Sequence, residues 1–110
     1  MTARLTADFW VAAYLARLMG EGIFAHVAHK GDPTAGAIAV KLATMDGRAS
    51  LFMRAYGLEG ERVWTTAAEA DEERAVDDRI ARQRRFDPDL WVIEVEDPKG
   101  RHLLDEIGAN

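Results

Sequence analysis

The stretch RIARQRRFDPD, residues 79–89, sets Arg79, Arg82, Arg84 and Arg85 against Asp87 and Asp89. Guanidinium groups clustered in this way suit an oxyanion, because each planar fork can grip two oxygens at once. The same residues also have a purely local use. A helix C-terminus carries partial negative charge, where each trailing cation stabilises by roughly 0.3–1 kcal/mol. Asp78 precedes Arg82 by four residues, the order that favours a helical ion pair. Asp87 and Asp89 then offer carboxylates for Arg82, Arg84 or Arg85 to grip. The expectation is a scaffold, a helix end pinned to the following strand. Should a ligand be held there, Arg82, Arg85, Asp87, Asp89, Trp91 and Trp64 are the residues expected to hold it.

Glu94 and Glu96 stand two apart in WVIEVE. On a strand they share a face at about 6.6 Å, within the range used by paired acids in hydrolysis. His102, across a turn, is a candidate base for them. That spacing is also what any solvent-facing strand gives, so ordinary alternation explains it equally well. His26 and His29, three apart on a strand, are expected to point to opposite faces and to share no metal ion. No metal or cofactor is therefore expected. KGDPTAG resembles a phosphate-cradling loop but lacks the Gly-Lys-Ser/Thr ending and the following helix, and Asp32 opposes an anion. It is expected to be a hairpin loop.

The totals narrow the classes further. The chain has 110 residues, 48% hydrophobic and 30% charged, which fits one globular domain over residues 1–110 with a single core. It contains no cysteine, so disulfides, thiolate nucleophiles and zinc-thiolate sites are excluded. The longest apolar stretch, FWVAAYLA, runs between Asp8 and Arg17 and falls far short of the ~20 residues of a membrane span. A cytoplasmic location with no membrane partner is the expectation. From Phe86 onward seven acids face only Lys99 and Arg101, so the whole formal charge of -5 lies in that segment. Such a balance repels phosphate backbones, and no nucleic-acid partner is expected.

These residues need elements to position them. Thr6 is a candidate N-cap and Asp8 lies in the first turn of a helix that ends near MGEG. Phe9, Ala12, Leu15, Ala16 and Met19 line one side of it, and Trp10, Tyr14 and Leu18 another. A surface helix normally keeps one polar face. This one is therefore expected either to be sandwiched or to meet a second subunit. Strands follow at Ile23 to Lys30, Ala37 to Ala43, Ala49 to Ala55 and Arg62 to Thr66, with MDGR as a tight hairpin between the second and third. A second helix is expected from Ala68 to Arg85, ended by Pro88. LWVIEVE then alternates Trp91, Ile93 and Val95 inward with Val92, Glu94 and Glu96 outward. Trp64 shares a strand face with Arg62 and Thr66, a poor core set, so that face is expected to be exposed or to meet a helix or partner. RHLLDEI closes the chain as a short strand or a short helix.

The words WVAAYLARL, AHVAHKGDPTAGAIAVKL, RVW, ARQRRFDPDLWVIEVED and GRHLL, spread over about Arg4 to Leu104, resemble a bacterial family known only as domain of unknown function 1491. The resemblance implies a small stand-alone cytoplasmic protein. It implies no activity, and it carries no catalytic or binding residues across. The fold class expected from the residues is α+β: an antiparallel sheet of four to five strands packed against two helices, in the order α-β-β-β-β-α-β. The expected function is a non-enzymatic interaction or ligand-binding module, a homodimer joined through the N-terminal helix, whose small-molecule ligand the sequence does not name. The alternative is a small hydrolase-type enzyme using acidic residues and His102.

Overall fold

The computed structural model describes residues 5–110. Helix α1 (Ala7–Gly20) is followed by strands β1 (Phe24–His29), β2 (Ile38–Ala43), β3 (Arg48–Tyr56) and β4 (Arg62–Glu72). Helix α2 (Glu73–Phe86), strand β5 (Trp91–Glu96) and the short helix α3 (Leu104–Ile107) complete the chain. The five strands form one sheet in the order β1-β5-β2-β3-β4.

The α+β class stands, with one departure from an all-antiparallel sheet: β5 lies parallel to β2 and antiparallel to β1. The reason is the crossover. Between β2 and β5 the chain makes two further strands and α2, more than the dozen residues that a parallel return requires. β5 thus enters the middle of the sheet rather than its edge, and both of its faces are covered. Ile38, Val40, Leu42, Trp91, Ile93 and Val95 pack beneath α1, while Ala39, Leu51 and Val92 pack beneath Val76 and Ile80 of α2.

The segment 30–37 is accordingly not a hairpin loop, since β5 separates β1 from β2. It crosses the end of β5 and seals Trp91. The Trp91 Nε1–H donates to the Asp32 carbonyl at 2.7 Å, and the Asp32 N–H donates to the Asp89 carbonyl at 3.0 Å. Gly31 and Gly36 are required by this close approach: a Cβ at either would come within 2.6 and 2.8 Å of Trp91 Cδ1, respectively. Asp32 occupies its own loop, with its carboxylate accepting the Thr34 and Ala35 N–H groups. The loop carbonyls of Pro33 and Thr34 accept the first amides of α1, from Asp8 and Ala7. Thr6 is the N-cap residue by position, but its hydroxyl turns to Asp8 instead of capping. At the other end of α1, Gly22 takes the left-handed conformation (φ 72°), and Ile23 N–H closes on Leu18 C=O.

The second helix begins later than expected. TTAAEADE reads as helix by propensity, yet residues through Glu72 pair with β3, including Arg48 with Glu72 and Ala49 with Asp71. Two register shifts accommodate the pairing, and the Ser50 hydroxyl accepts the N–H of Ala70, which sits at φ 46°. Cross-strand packing here overrides a local helical preference of a few tenths of a kcal/mol per residue.

Candidate functional site

Helix α1 has two dissimilar sides. Ala7, Trp10, Val11, Tyr14 and Leu18 are buried against the sheet. Trp10 packs at 4.9 Å from Tyr14 and 5.4 Å from Trp64, ring centre to ring centre. The opposite side carries Phe9, Ala12, Ala13, Ala16, Met19 and Gly20, all exposed, with no polar side chain among them. Phe9 is 61% and Met19 78% exposed. Charged groups stand only at the flanks, where Arg17 pairs with Glu21 at 2.6 Å.

The arginine cluster lies elsewhere. Arg79, Arg82, Arg84 and Arg85 are exposed on α2, and among the described residues no carboxylate lies within 4.0 Å of them. The expected grip by Asp87 and Asp89 is absent. The Asp87 carboxylate instead accepts the Asp89 N–H at 3.1 Å, which closes the turn ahead of β5. Trp91 and Trp64 are on the other side of the sheet, in the core beneath α1. The Trp64 Nε1–H donates to Gly108 C=O at 3.1 Å, so the face it shares with Arg62 meets the helix and the chain's final residues. Arg82, Arg85, Asp87 and Asp89 therefore do not converge with Trp91 and Trp64.

The acids and His102 are also kept apart. Glu94 points to the α2 face, next to Lys41, whereas His102 lies on the α1 face with its ring 4.6 Å from Phe52. There the His102 Nδ1 accepts the Leu104 N–H, and its carbonyl accepts the Tyr14 hydroxyl at 2.8 Å. The sheet stands between His102 and the Glu94 and Glu96 carboxylates, so the hydrolase arrangement is not assembled.

What sequence reading missed is Lys41. The alternation of β2 marks it as a polar position, yet its side chain is only 5% exposed. Its ammonium donates to Asp77 at 2.6 Å, Glu73 at 2.8 Å and Glu94 at 3.2 Å. Burial opposes the charge, but the hydrogen bonds that the ammonium donates to Asp77, Glu73 and Glu94 prevail and hold the Lys41 pKa above the ordinary lysine value. An ammonium has three donors and here meets three carboxylates, so its hydrogen-bonding capacity is filled. Lys41 pins α2, whose own buried apolar residues are only Val76 and Ile80, to the sheet.

The two histidines do share a face, contrary to expectation. A bulge between Val27 and His29 restores His29 to the α2 face, opposite Val92, while His26 lies opposite Glu94. They serve different partners. His26 Nε2 is 3.1 Å from Glu94, and His29 Nδ1 is 2.8 Å from the Leu90 carbonyl. Since a carbonyl only accepts, Nδ1 of His29 carries the proton. His29, Arg84, Asp77 and Glu94 line a cleft of about 110 Å³ between α2 and the β1 edge. Among the described residues no set of three or more His, Asp or Glu side chains is arranged to hold a metal ion.

Two buried groups give this architecture a defined alkaline limit. Burial also raises the Tyr14 hydroxyl well above its ordinary 10.0, as the hydrogen bonds raise Lys41 above 10.5. Both folded pKa values are raised, so both contributions are complete below the unfolded values and disappear as pH rises past them. The melting temperature is expected to fall steeply above pH 10, and Tyr14→Phe is expected to flatten that fall. A thermal melt series from pH 8 to 11.5 measures it; an unchanged slope in Tyr14→Phe would contradict the assignment.

A family profile described as "Protein of unknown function (DUF1491)" matches residues 5–105. Among solved structures, the crystal structure of a DUF1491 family protein from Caulobacter crescentus CB15 is 44% identical, with a TM-score of 0.81, covering 93% of this chain and 94% of that one. An NMR structure of a DUF1491 family protein from the same organism is 43% identical, with a TM-score of 0.82 and coverage of 92% and 93%. A solution structure of a protein from A. tumefaciens is 35% identical, with a TM-score of 0.75 and 86% of each chain covered. No curated protein matches the chain. On these matches the chain belongs to the DUF1491 family.

Proposed function

We propose that the protein is a non-enzymatic binding module that works as a homodimer, with α1 as the contact. The observation that carries this reading is the outward stripe of α1, whose large and small residues are mutually complementary. At 100° per residue, Phe9, Ala13, Ala16 and Gly20 fall on one line of the helix, with Ala12 and Met19 beside it. An antiparallel two-fold pairing centred between Ala12 and Ala13 sets each Phe9 ring over Ala16 of the partner. The alanines at the centre let the two backbones approach closely, and Met19 meets Leu5, which is 37% exposed. An isologous contact requires self-complementarity of this kind. The separation of His102 from Glu94 and Glu96 by the sheet is the observation that weighs against the hydrolase alternative.

Ala13→Arg places a charge at the centre of that contact, at a position that is exposed in the single chain. It is expected to weaken association by at least ~100-fold, about 3 kcal/mol, with the melting temperature of the monomer unit preserved. Sedimentation velocity at tens of micromolar checks this: twice the chain mass of 12.2 kDa for the native sequence and a single chain mass for the variant. Equal masses for the two proteins would reject the α1 contact.

A further inference from the structure

A second feature is independent of the α1 contact. At the end of the sheet nearest the start of α1, a cavity of about 90 Å³ opens between the 35–37 segment, the end of β3 and the start of β4. Arg54, Tyr56 and Arg62 line it, with Gly36 and Ala37 as its backbone wall. The register explains the convergence. Arg54 and Tyr56 are two apart on β3, Arg62 pairs with Tyr56, and Trp64 pairs with Arg54, so these side chains all rise from the same face.

Among the described residues, both guanidinium groups hydrogen-bond to backbone oxygens. Arg54 donates to Ala109 C=O at 3.3 Å and Gly36 C=O at 3.4 Å, and Arg62 donates to Leu5 C=O at 3.2 Å. Among the described residues no carboxylate lies within 4.0 Å of either. Glu61, beside Arg62 in sequence, accepts the Glu59 N–H within its own loop, and Asp32, in the segment that walls the cavity, accepts the Thr34 and Ala35 N–H groups. Arg54 is half-buried, with its guanidinium carbon 5.8 Å from the centre of the Trp10 ring. Burial, with Arg62 beside it, pushes the Arg54 pKa down to about 10. Two like charges are thus held at a partly dry cavity, each with more N–H donors than its backbone partners use.

We propose that this cavity is a binding site for a phosphate-type dianion, either inorganic phosphate or the terminal group of a phosphomonoester, gripped between Arg54 and Arg62. A dianion neutralises both guanidiniums, and a tetrahedral oxyanion offers each planar fork two oxygens. A monocarboxylate would leave one charge uncompensated. The cavity holds a phosphate group and little more, and its open side leaves room for an ester to extend into solvent.

The test uses the whole chain titrated with sodium phosphate, with glycerol 3-phosphate, with acetate and with chloride at matched ionic strength. Amide chemical shifts and melting temperature are both followed. Saturable shifts centred on Gly36, Ala55 and Arg62 are expected with the two phosphates, together with a rise in melting temperature that chloride does not reproduce. The tighter of the two phosphates identifies the source of the group. Arg62→Gln, at a partly exposed position, is expected to weaken binding by at least tenfold and to keep the fold. Arg54→Gln provides the second variant. Shifts that chloride or acetate reproduces, shifts centred elsewhere, or undiminished binding in Arg62→Gln would each overturn the proposal.

Discussion

Trp91→Ala is expected to destabilise the fold by about 3–5 kcal/mol, the range for emptying a fully buried tryptophan site. In a domain of this size that lowers the melting temperature by roughly 15–25 °C. The argument starts from position. Trp91 is buried at the first residue of a strand covered on both faces. It lies under Gly31 and Gly36, the two glycines without which the crossover loop could not close. Its Nε1–H satisfies the Asp32 carbonyl, and that loop in turn holds the first amides of α1. Removing the indole leaves a cavity, takes from the Asp32 carbonyl the shorter of its two hydrogen bonds, with only the Gly36 N–H at 3.2 Å left to it, and loosens the start of α1. Trp91→Phe separates these effects, since it keeps most of the ring and loses the hydrogen bond, for an expected loss of about 1–3 kcal/mol. Thermal or urea unfolding measures both. A Trp91→Ala protein within 0.5 kcal/mol of the native one, the range of ordinary surface changes, would return Trp91 to the list of ligand contacts.

The second large effect is expected at Lys41. Lys41→Met keeps the aliphatic stem and deletes the ammonium that joins Glu73, Asp77 and Glu94. Breaking a fully buried ion pair by removing one partner costs about 3–5 kcal/mol. The three acids are 39%, 53% and 29% exposed and regain water, so the expected loss is lower, about 2–3 kcal/mol. Adding Glu94→Gln removes the least exposed of the orphaned charges and is expected to restore about 1 kcal/mol, a coupling that a double-mutant cycle reads directly. Additive losses in the double variant would mean that Lys41 and Glu94 do not act on each other.

Much of the fold was legible because its signals were local. The strand at WVIEVE, the Asp-Gly turn before Arg48 and the Pro88 stop each follow from backbone chemistry within a few residues, although Val92, expected outward, is buried beneath α2 because β5 is covered on both faces. The central position of β5 was not legible. Strand order depends on which edges remain unpaired after the chain has folded, and the 30–37 segment has the composition of a hairpin loop although it spans a strand. Helix α2 starts at Glu73 rather than Ala68: Ala68 to Glu72 favours helix locally, and only pairing with β3 makes it strand.

At the level of sites, the arginine-rich helix end drew attention by composition. The telling pair, Arg54 and Arg62, lies eight residues apart in sequence across a loop and meets only through the β3–β4 register. Lys41 escaped notice for a similar reason. A lone lysine in an alternating strand reads as solvent-facing, and its three acids come from α2 and β5. The surplus of apolar residues on α1 was visible from the outset, because a helix with no polar face is a property of the sequence alone.

Because the chain contains no cysteine, single cysteines report unambiguously on the α1 contact. Ala13→Cys lies at the centre of the proposed two-fold, and Arg85→Cys is an exposed control on α2. Under mild oxidation at tens of micromolar, Ala13→Cys is expected to convert almost wholly to a disulfide-linked dimer while Arg85→Cys remains a single chain on non-reducing electrophoresis. Cross-linking of Ala13→Cys no faster than that of Arg85→Cys would contradict a homodimer joined through α1.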